Sequence, residues 1–128
     1  MTHTILVVDD NDQNRVLFHD VLVISGFDVL LAENGEEAVR LAREHHPSLI
    51  LMDIQMPVMN GLEAGKLLRS DPRTEGIKIL ALSCAVTVDD KDNFFATGFD
   101  GYIDKPINIR TLPKTIISYL SDGTNEQP

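Results

Sequence analysis

Short apolar runs in this chain end, again and again, in residues able to handle a phosphoryl group. Ile5-Leu6-Val7-Val8 stops at Asp9-Asp10, Leu49-Ile50-Leu51-Met52 at Asp53, the run from Ile77 to Leu82 at Ser83, and Tyr102-Ile103 at Asp104-Lys105-Pro106. Three carboxylates gathered in one place repel one another and persist cheaply only beside a cation. Carboxylate and carbonyl oxygens, with water completing an octahedron, suit magnesium (Mg²⁺) better than zinc. A lysine adds a movable positive charge and a serine a hydroxyl donor. Metal, ammonium and hydroxyl together would hold the equatorial oxygens of a phosphoryl group in transfer. Ser83 has no histidine placed by the sequence to activate it, whereas a carboxylate is ionised at neutral pH and can form an acyl phosphate. Asp53, on the most apolar run, is the better acceptor. Taken singly, these residues have plainer readings: helix caps for Asp9 and Asp10, a strand end for Ser83, a surface charge for Lys105. Only their joint occurrence favours a site.

What must bring them together is an alternation of strands and helices. The strands are expected at Ile5 to Val8, Phe27 to Leu31, Leu49 to Met52, Ile77 to Leu82 and Tyr102-Ile103. Asn11 or Asp12 can cap a first helix whose apolar face is Val16, Leu17, Val21, Leu22 and Ile24, ended by Gly26. Asn34-Gly35-Glu36-Glu37 opens a second, with Ala38, Leu41, Ala42 and His45 inward and Pro47 beyond its end. A third runs over Leu62 to Leu68, weakened by Gly65 and stopped at Asp71-Pro72. Asp89 to Asp92 with Phe94-Phe95 suggests a surface helix closed by Gly98. The last begins near Thr111, because Pro113 is tolerated only in a first turn, and turns Leu112, Ile116, Tyr119 and Leu120 inward. Such alternation implies right-handed crossovers and a mainly parallel sheet with helices on both faces. All strands then end at one edge, where open α/β sheets bind ligands. Asp9, Asp10, Asp53, Ser83 and Lys105 should share a pocket there.

The bulk numbers bound the class. A chain of 128 residues is long enough to bury a core without staples, and its 24% charged and 43% hydrophobic residues suit a globular domain rather than disorder. One domain is expected over residues 1–120, with 121–128 a frayed tail. The net charge of -9 would repel phosphate backbones and anionic membranes, so direct nucleic-acid and membrane binding are disfavoured. One cysteine, Cys84, allows no internal disulfide and fits a reducing interior. With no apolar run near the roughly 20 residues that span a bilayer, and no signal-peptide pattern in Met1 to Thr4, a cytoplasmic location is expected.

Val8-Asp9-Asp10-Asn11, the stretch Leu51-Met52-Asp53-Ile54-Gln55-Met56-Pro57-Val58-Met59-Asn60-Gly61, Leu82-Ser83-Cys84-Ala85 and Gly101-Tyr102-Ile103-Asp104-Lys105-Pro106 resemble the receiver domain of two-component response regulators, in particular receivers of the stand-alone type. The resemblance covers nearly the whole chain, with the motifs in order and suitably spaced. It implies a flavodoxin-like (βα)5 fold, a doubly wound sheet of five parallel strands. It also implies phosphorylation of Asp53, with Mg²⁺ held by Asp10, Asp53 and the backbone carbonyl of Gln55, and Asp9 acting through water. Lys105 would contact the acyl phosphate, a cis bond would precede Pro106, and Ser83 and Tyr102 would occupy the switch positions.

The implied donor is a phosphohistidine on a histidine kinase or a histidine phosphotransfer protein. The output, with no further domain after Leu120, would be a protein contact through the fourth helix, fifth strand and fifth helix. The result is a phosphoacceptor switch with slow self-catalysed phosphorylation and dephosphorylation rather than a turnover enzyme. Cys84 departs from the family's usual alanine or glycine, and its bulk should narrow access to the phosphoryl group. The alternative is a Mg²⁺-dependent phosphohydrolase using an aspartyl-phosphate intermediate. Against it stand the lack of an obvious substrate cap and the presence of Gln55 where such enzymes carry a second aspartate.

Overall fold

The structure, a computed structural model, describes residues 3–54, 60–84 and 87–121. Gln55 and nearly all of the expected tail lie outside the described residues. Five parallel strands, β1 (Thr4–Val8), β2 (Asp28–Ala32), β3 (Leu49–Asp53), β4 (Lys78–Cys84) and β5 (Gly101–Lys105), form one sheet in the order β2-β1-β3-β4-β5. β3 is central and all five of its residues are buried, which is why it reads as an unbroken apolar run. The chain winds outward in opposite directions from β1 and β3. The crevice beyond the ends of those two strands is the place where such sheets bind ligands.

Helices α1 (Asp12–Ile24), α2 (Gly35–His45), α3 (Gly61–Arg69) and α4 (Val88–Thr97) make the four crossovers, and α5 (Leu112–Leu120) follows the last strand. Asn11, Asn34, Asn60 and Thr87 cap the first four, each accepting a hydrogen bond from a backbone N–H of the first turn. Alternate strand residues point to opposite faces, so the sheet divides two apolar layers. Val8, Ile50, Met52 and Ala81 pack with Ala38, Ala42, Ala64, Leu68 and Phe94 of α2, α3 and α4. Val7, Leu49, Leu51 and Leu82 pack with Phe18, Leu22, Leu112 and Ile116 of α1 and α5.

The structure moves several expected details. β2 begins one residue later, and β4 and β5 run on through Cys84 and Lys105, so Ser83 and Lys105 are held by the ladder rather than by loops. The expected inner face of α1 is rotated: Phe18 and Leu22, one turn apart, lie on the sheet, leaving Val16, Leu17 and Ile24 at 57%, 43% and 86% exposure. His45 of α2 is exposed as well, Val39 taking the inward position.

Two ionic ties bind the helices to the loops at the starts of the strands. Arg69 donates to the carbonyls of Glu75, Ile77 and Gly98 and to the carboxylate of Asp100, which in turn accepts the N–H of Ile79. One guanidinium thus joins α3 to the start of β4 and to the turn before β5. On the α2 side, Asp71 accepts from Arg73 and Arg43, and these bonds, those from Arg73 foremost, hold its carboxyl well below the usual carboxylate range.

Gly65 explains itself through packing. A Cβ there would overlap the ring of Phe99, with Cζ at 2.9 Å, so the glycine lets α3 close onto the turn before β5. Alanine at 65 would gain about 1 kcal/mol of helix propensity, against about 1–3 kcal/mol for overpacking a filled core. Gly65→Ala is therefore expected to lower the thermal midpoint. Adding Phe99→Leu should recover part of the loss, as circular-dichroism melts of the single and double variants would show.

Candidate functional site

Asp9 follows β1 directly and is 1% exposed. Its N–H donates to the Ala32 carbonyl at 3.1 Å, which continues the β1–β2 pairing by one residue. Its carboxylate accepts the Asn11 N–H at 2.9 Å and the Asn14 side-chain amide at 3.3 Å, and its carbonyl accepts from Arg15 at 2.6 Å. Asp10 is exposed at the mouth of the crevice. Asp53 closes β3, buried to 4% exposure. One carboxylate oxygen from each of the three acids lies within 4.8 Å of the others.

Lys105 reaches across from the end of β5, past β4, to place Nζ 3.3 Å from Asp53 Oδ2. The bond from Lys105 to Pro106 is cis. Ser83, 8% exposed, stands one step beyond Leu82, the register partner of Asp53 on the neighbouring strand. Cys84 is exposed and opposite Lys105 in the β4–β5 ladder. Gly61 backs the site: a Cβ there would come 2.5 Å from the Asp53 carbonyl oxygen, so α3 starts in contact with the main chain that carries the acid.

Tyr102 stands on the α4 side of β5. Its ring centroid is 6.3 Å from that of Phe94, with Lys91 Nζ 5.4 Å from the ring centre. The Tyr102 hydroxyl as hydrogen-bond partner, followed by charge interactions, raises Lys91 above the ordinary ammonium value. The expected set thus meets at one edge in Asp9, Asp10, Asp53 and Lys105, with Ser83 on the adjoining strand and Tyr102 beside α4. Asn14, Arg15, Gly61 and Lys91 were not visible as site residues in the sequence. A polar pair one turn into a helix and a glycine after a cap carry no distinguishing signal of their own.

A family profile described as the response regulator receiver domain matches residues 5–117. The polar-differentiation response regulator DivK of Brucella ovis is 41% identical over 123 residues, 96% of this chain and all of the relative. The receiver domain of the sensor histidine kinase PA1611 from Pseudomonas aeruginosa PAO1, solved with a magnesium ion coordinated in its active-site cleft, is 28% identical with a TM-score of 0.86. That match covers 95% of this chain and all of the other. The receiver domain of Ssk1 from Saccharomyces cerevisiae, solved in complex with the histidine phosphotransfer protein Ypd1, matches at 29% identity and a TM-score of 0.88, covering 98% of this chain and 94% of the other.

The donor set is made of hard carboxylate oxygens, with no sulfur or imidazole among the three clustered side chains, and this fits an oxygen-coordinated divalent cation. Without such a cation the acids repel one another, Lys105 offsetting only part of the charge. Asp10→Asn removes one charge from the exposed lip without touching the buried pair. It is expected to stabilise the protein in chelator by about 1 kcal/mol, with the gain shrinking or reversing at millimolar Mg²⁺. Paired thermal melts with and without the metal measure this; a variant less stable than wild type in chelator would contradict the repulsion.

Proposed function

The chain belongs to the response regulator receiver family, and from that premise we propose that Asp53 is its phosphoacceptor. The observation that carries the reading is the joint placement of the three carboxylates within 4.8 Å and of Lys105 Nζ at 3.3 Å from Asp53. A carboxylate oxygen of Asp53 attacks the phosphorus of a phosphohistidine; the new P–O bond forms as the P–N bond breaks, and the imidazole leaves with the electron pair and takes up a proton. Lys105, paired with Asp53 beforehand, meets the incoming phosphoryl oxygens, and the Ser83 hydroxyl, which points to the Cys84 carbonyl at 3.5 Å, would turn to donate to another. Asp10, Asp53 and the Gln55 carbonyl would hold Mg²⁺, Asp9 acting through water. Bound there, the ion would neutralise charge on the phosphoryl oxygens during transfer.

The donor in this reading is a histidine kinase or a histidine phosphotransfer protein, in keeping with the partner seen on the Ssk1 receiver. The output partner is a protein that reads α4, β5 and α5, where Val88, Phe95 and Ile117 are exposed by 72%, 53% and 51%. Tyr102 and Ser83 would carry the change from the acid pocket to that face as a shift between two populations. Phosphate is then lost by slow hydrolysis in the same pocket, so the protein acts as a switch and not as a turnover enzyme. The receiver domain is assigned to residues 1–120. Among the described residues no helix is long and apolar enough to cross a membrane. A cytoplasmic location belongs to the same proposal.

Incubation with a phosphorylated histidine kinase, or with phosphoramidate and Mg²⁺, should label the wild type at one aspartate. Asp53→Asn should take up no label, and Lys105→Ala or removal of the metal should slow labelling about 100-fold. Undiminished labelling of Asp53→Asn would refute the acceptor, and rapid multiple turnover on a phosphate monoester would favour a hydrolase instead.

A further inference from the structure

Arg15 is a cation where a helix does not favour one. It lies one turn into α1, whose start carries the positive end of the helix dipole, and its side chain is only 11% exposed. Rather than running out to solvent, the guanidinium folds back over the helix start. There Nη1 donates to the Asp9 carbonyl at 2.6 Å and Nη2 donates to the Asp12 carboxylate. Holding a desolvated guanidinium against the dipole requires nearby negative charge to offset it. Asp12 supplies one charge, and the cluster of Asp9, Asp10 and Asp53 supplies more.

Charge alone does not require a bond to the main chain. The Asp9 carbonyl belongs to the peptide unit that joins Asp9 to Asp10, so the 2.6 Å bond orients both acids. The N–H on the other side of Asp9 is already fixed by Ala32. With the two flanking peptide units held, the backbone angles of Asp9 are set, and Asn11 and Asn14 then select the rotamer of its carboxylate. Asp10, exposed and following the clamped peptide, takes its direction from the same bond.

We propose that Arg15 is a positioning residue of the acid cluster: by clamping the Asp9–Asp10 peptide it presents both carboxylates to the divalent ion that they share with Asp53. The role rests on the metal-assisted reading above. It has a signature that charge alone does not give. Removing a cation from beside a divalent metal site should tighten the metal by Coulomb's law, whereas removing a clamp on its ligands should loosen it, typically by an order of magnitude or more. The sign of the change separates the two.

The test is the Mg²⁺ dissociation constant of the full chain, followed through backbone amide shifts at constant ionic strength, with thermal melts in chelator to confirm folding. Arg15→Ala is expected to bind Mg²⁺ about tenfold more weakly than wild type. Arg15→Lys keeps the charge and one donor but cannot bridge Asp9 and Asp12 as a planar fork does, and should bind about threefold more weakly. An Arg15→Ala constant equal to or tighter than wild type overturns the proposal, and if that variant does not fold, an unchanged constant in Arg15→Lys does so. A wild type that takes up no Mg²⁺ overturns the metal reading together with it, so the two failures are told apart.

Discussion

The mutual repulsion of three carboxylates is the constraint around which the ligand-binding edge of this sheet is arranged. Asp9, Asp10 and Asp53 sit within 4.8 Å of one another, two of them buried, and nothing in the folding of the sheet benefits from that crowding. What keeps the arrangement is the compensation built around it. Lys105 lies against Asp53, Asn11 and Asn14 donate to Asp9, and Arg15 bonds its carbonyl. The compensating groups arrive on two elements, Lys105 on β5 and the others on α1 and its cap, and the parallel sheet is the device that lets them meet. Strands of one sense deliver their carboxyl ends to one edge, and the order β2-β1-β3-β4-β5 puts the two acid-bearing strands side by side, with the lysine two strands from Asp53. A lysine has the length to cross that gap and a shorter cation does not.

Much of this was legible before any coordinates. An apolar run ending in a carboxylate announces a buried strand reaching the surface, and β1 and β3 both do so, which is why Asp9, Asp10 and Asp53 could be grouped and the fold class assigned. What stayed hidden depends on rotation and on distant packing. α1 is apolar on more than one side, so spacing alone admitted Val16 and Leu17 as readily as Phe18 and Leu22, and only contact with the sheet separates them. Gly65 reads as a weak point in a helix until Phe99, far along the chain, is seen lying on it. Arg15 reads as an ordinary helix-surface arginine because its partners lie behind it along the helix, towards the N-terminus. Gln55, which only the family resemblance picks out, lies outside the described residues.

The helices are not held with equal strength, and that inequality bears on how the proposed switch would be read. α2 buries four residues, Gly35, Ala38, Val39 and Ala42, and α3 also buries four, whereas α4 buries only Phe94. Full burial of one aromatic side chain contributes about 2–3 kcal/mol, the same size as the 1–3 kcal/mol typical of coupling between two sites. An event at Asp53 need therefore supply no more than ordinary coupling energy to shift α4.

Tyr102 is placed to use that difference. It packs against Phe94, the one buried residue of α4, and lies beside Lys91 on the same helix. Its own strand also carries Lys105, three residues on, in contact with Asp53, the proposed acceptor. A displacement of Lys105 as it exchanges a carboxylate for phosphoryl oxygens would pull on β5, and the first packing contact from β5 to a loosely held element runs through Tyr102 to Phe94. The exposed Val88 and Phe95 ride on that element, so the apolar surface offered to a partner would change with the angle of α4 alone, the central sheet and its two apolar layers staying as they are.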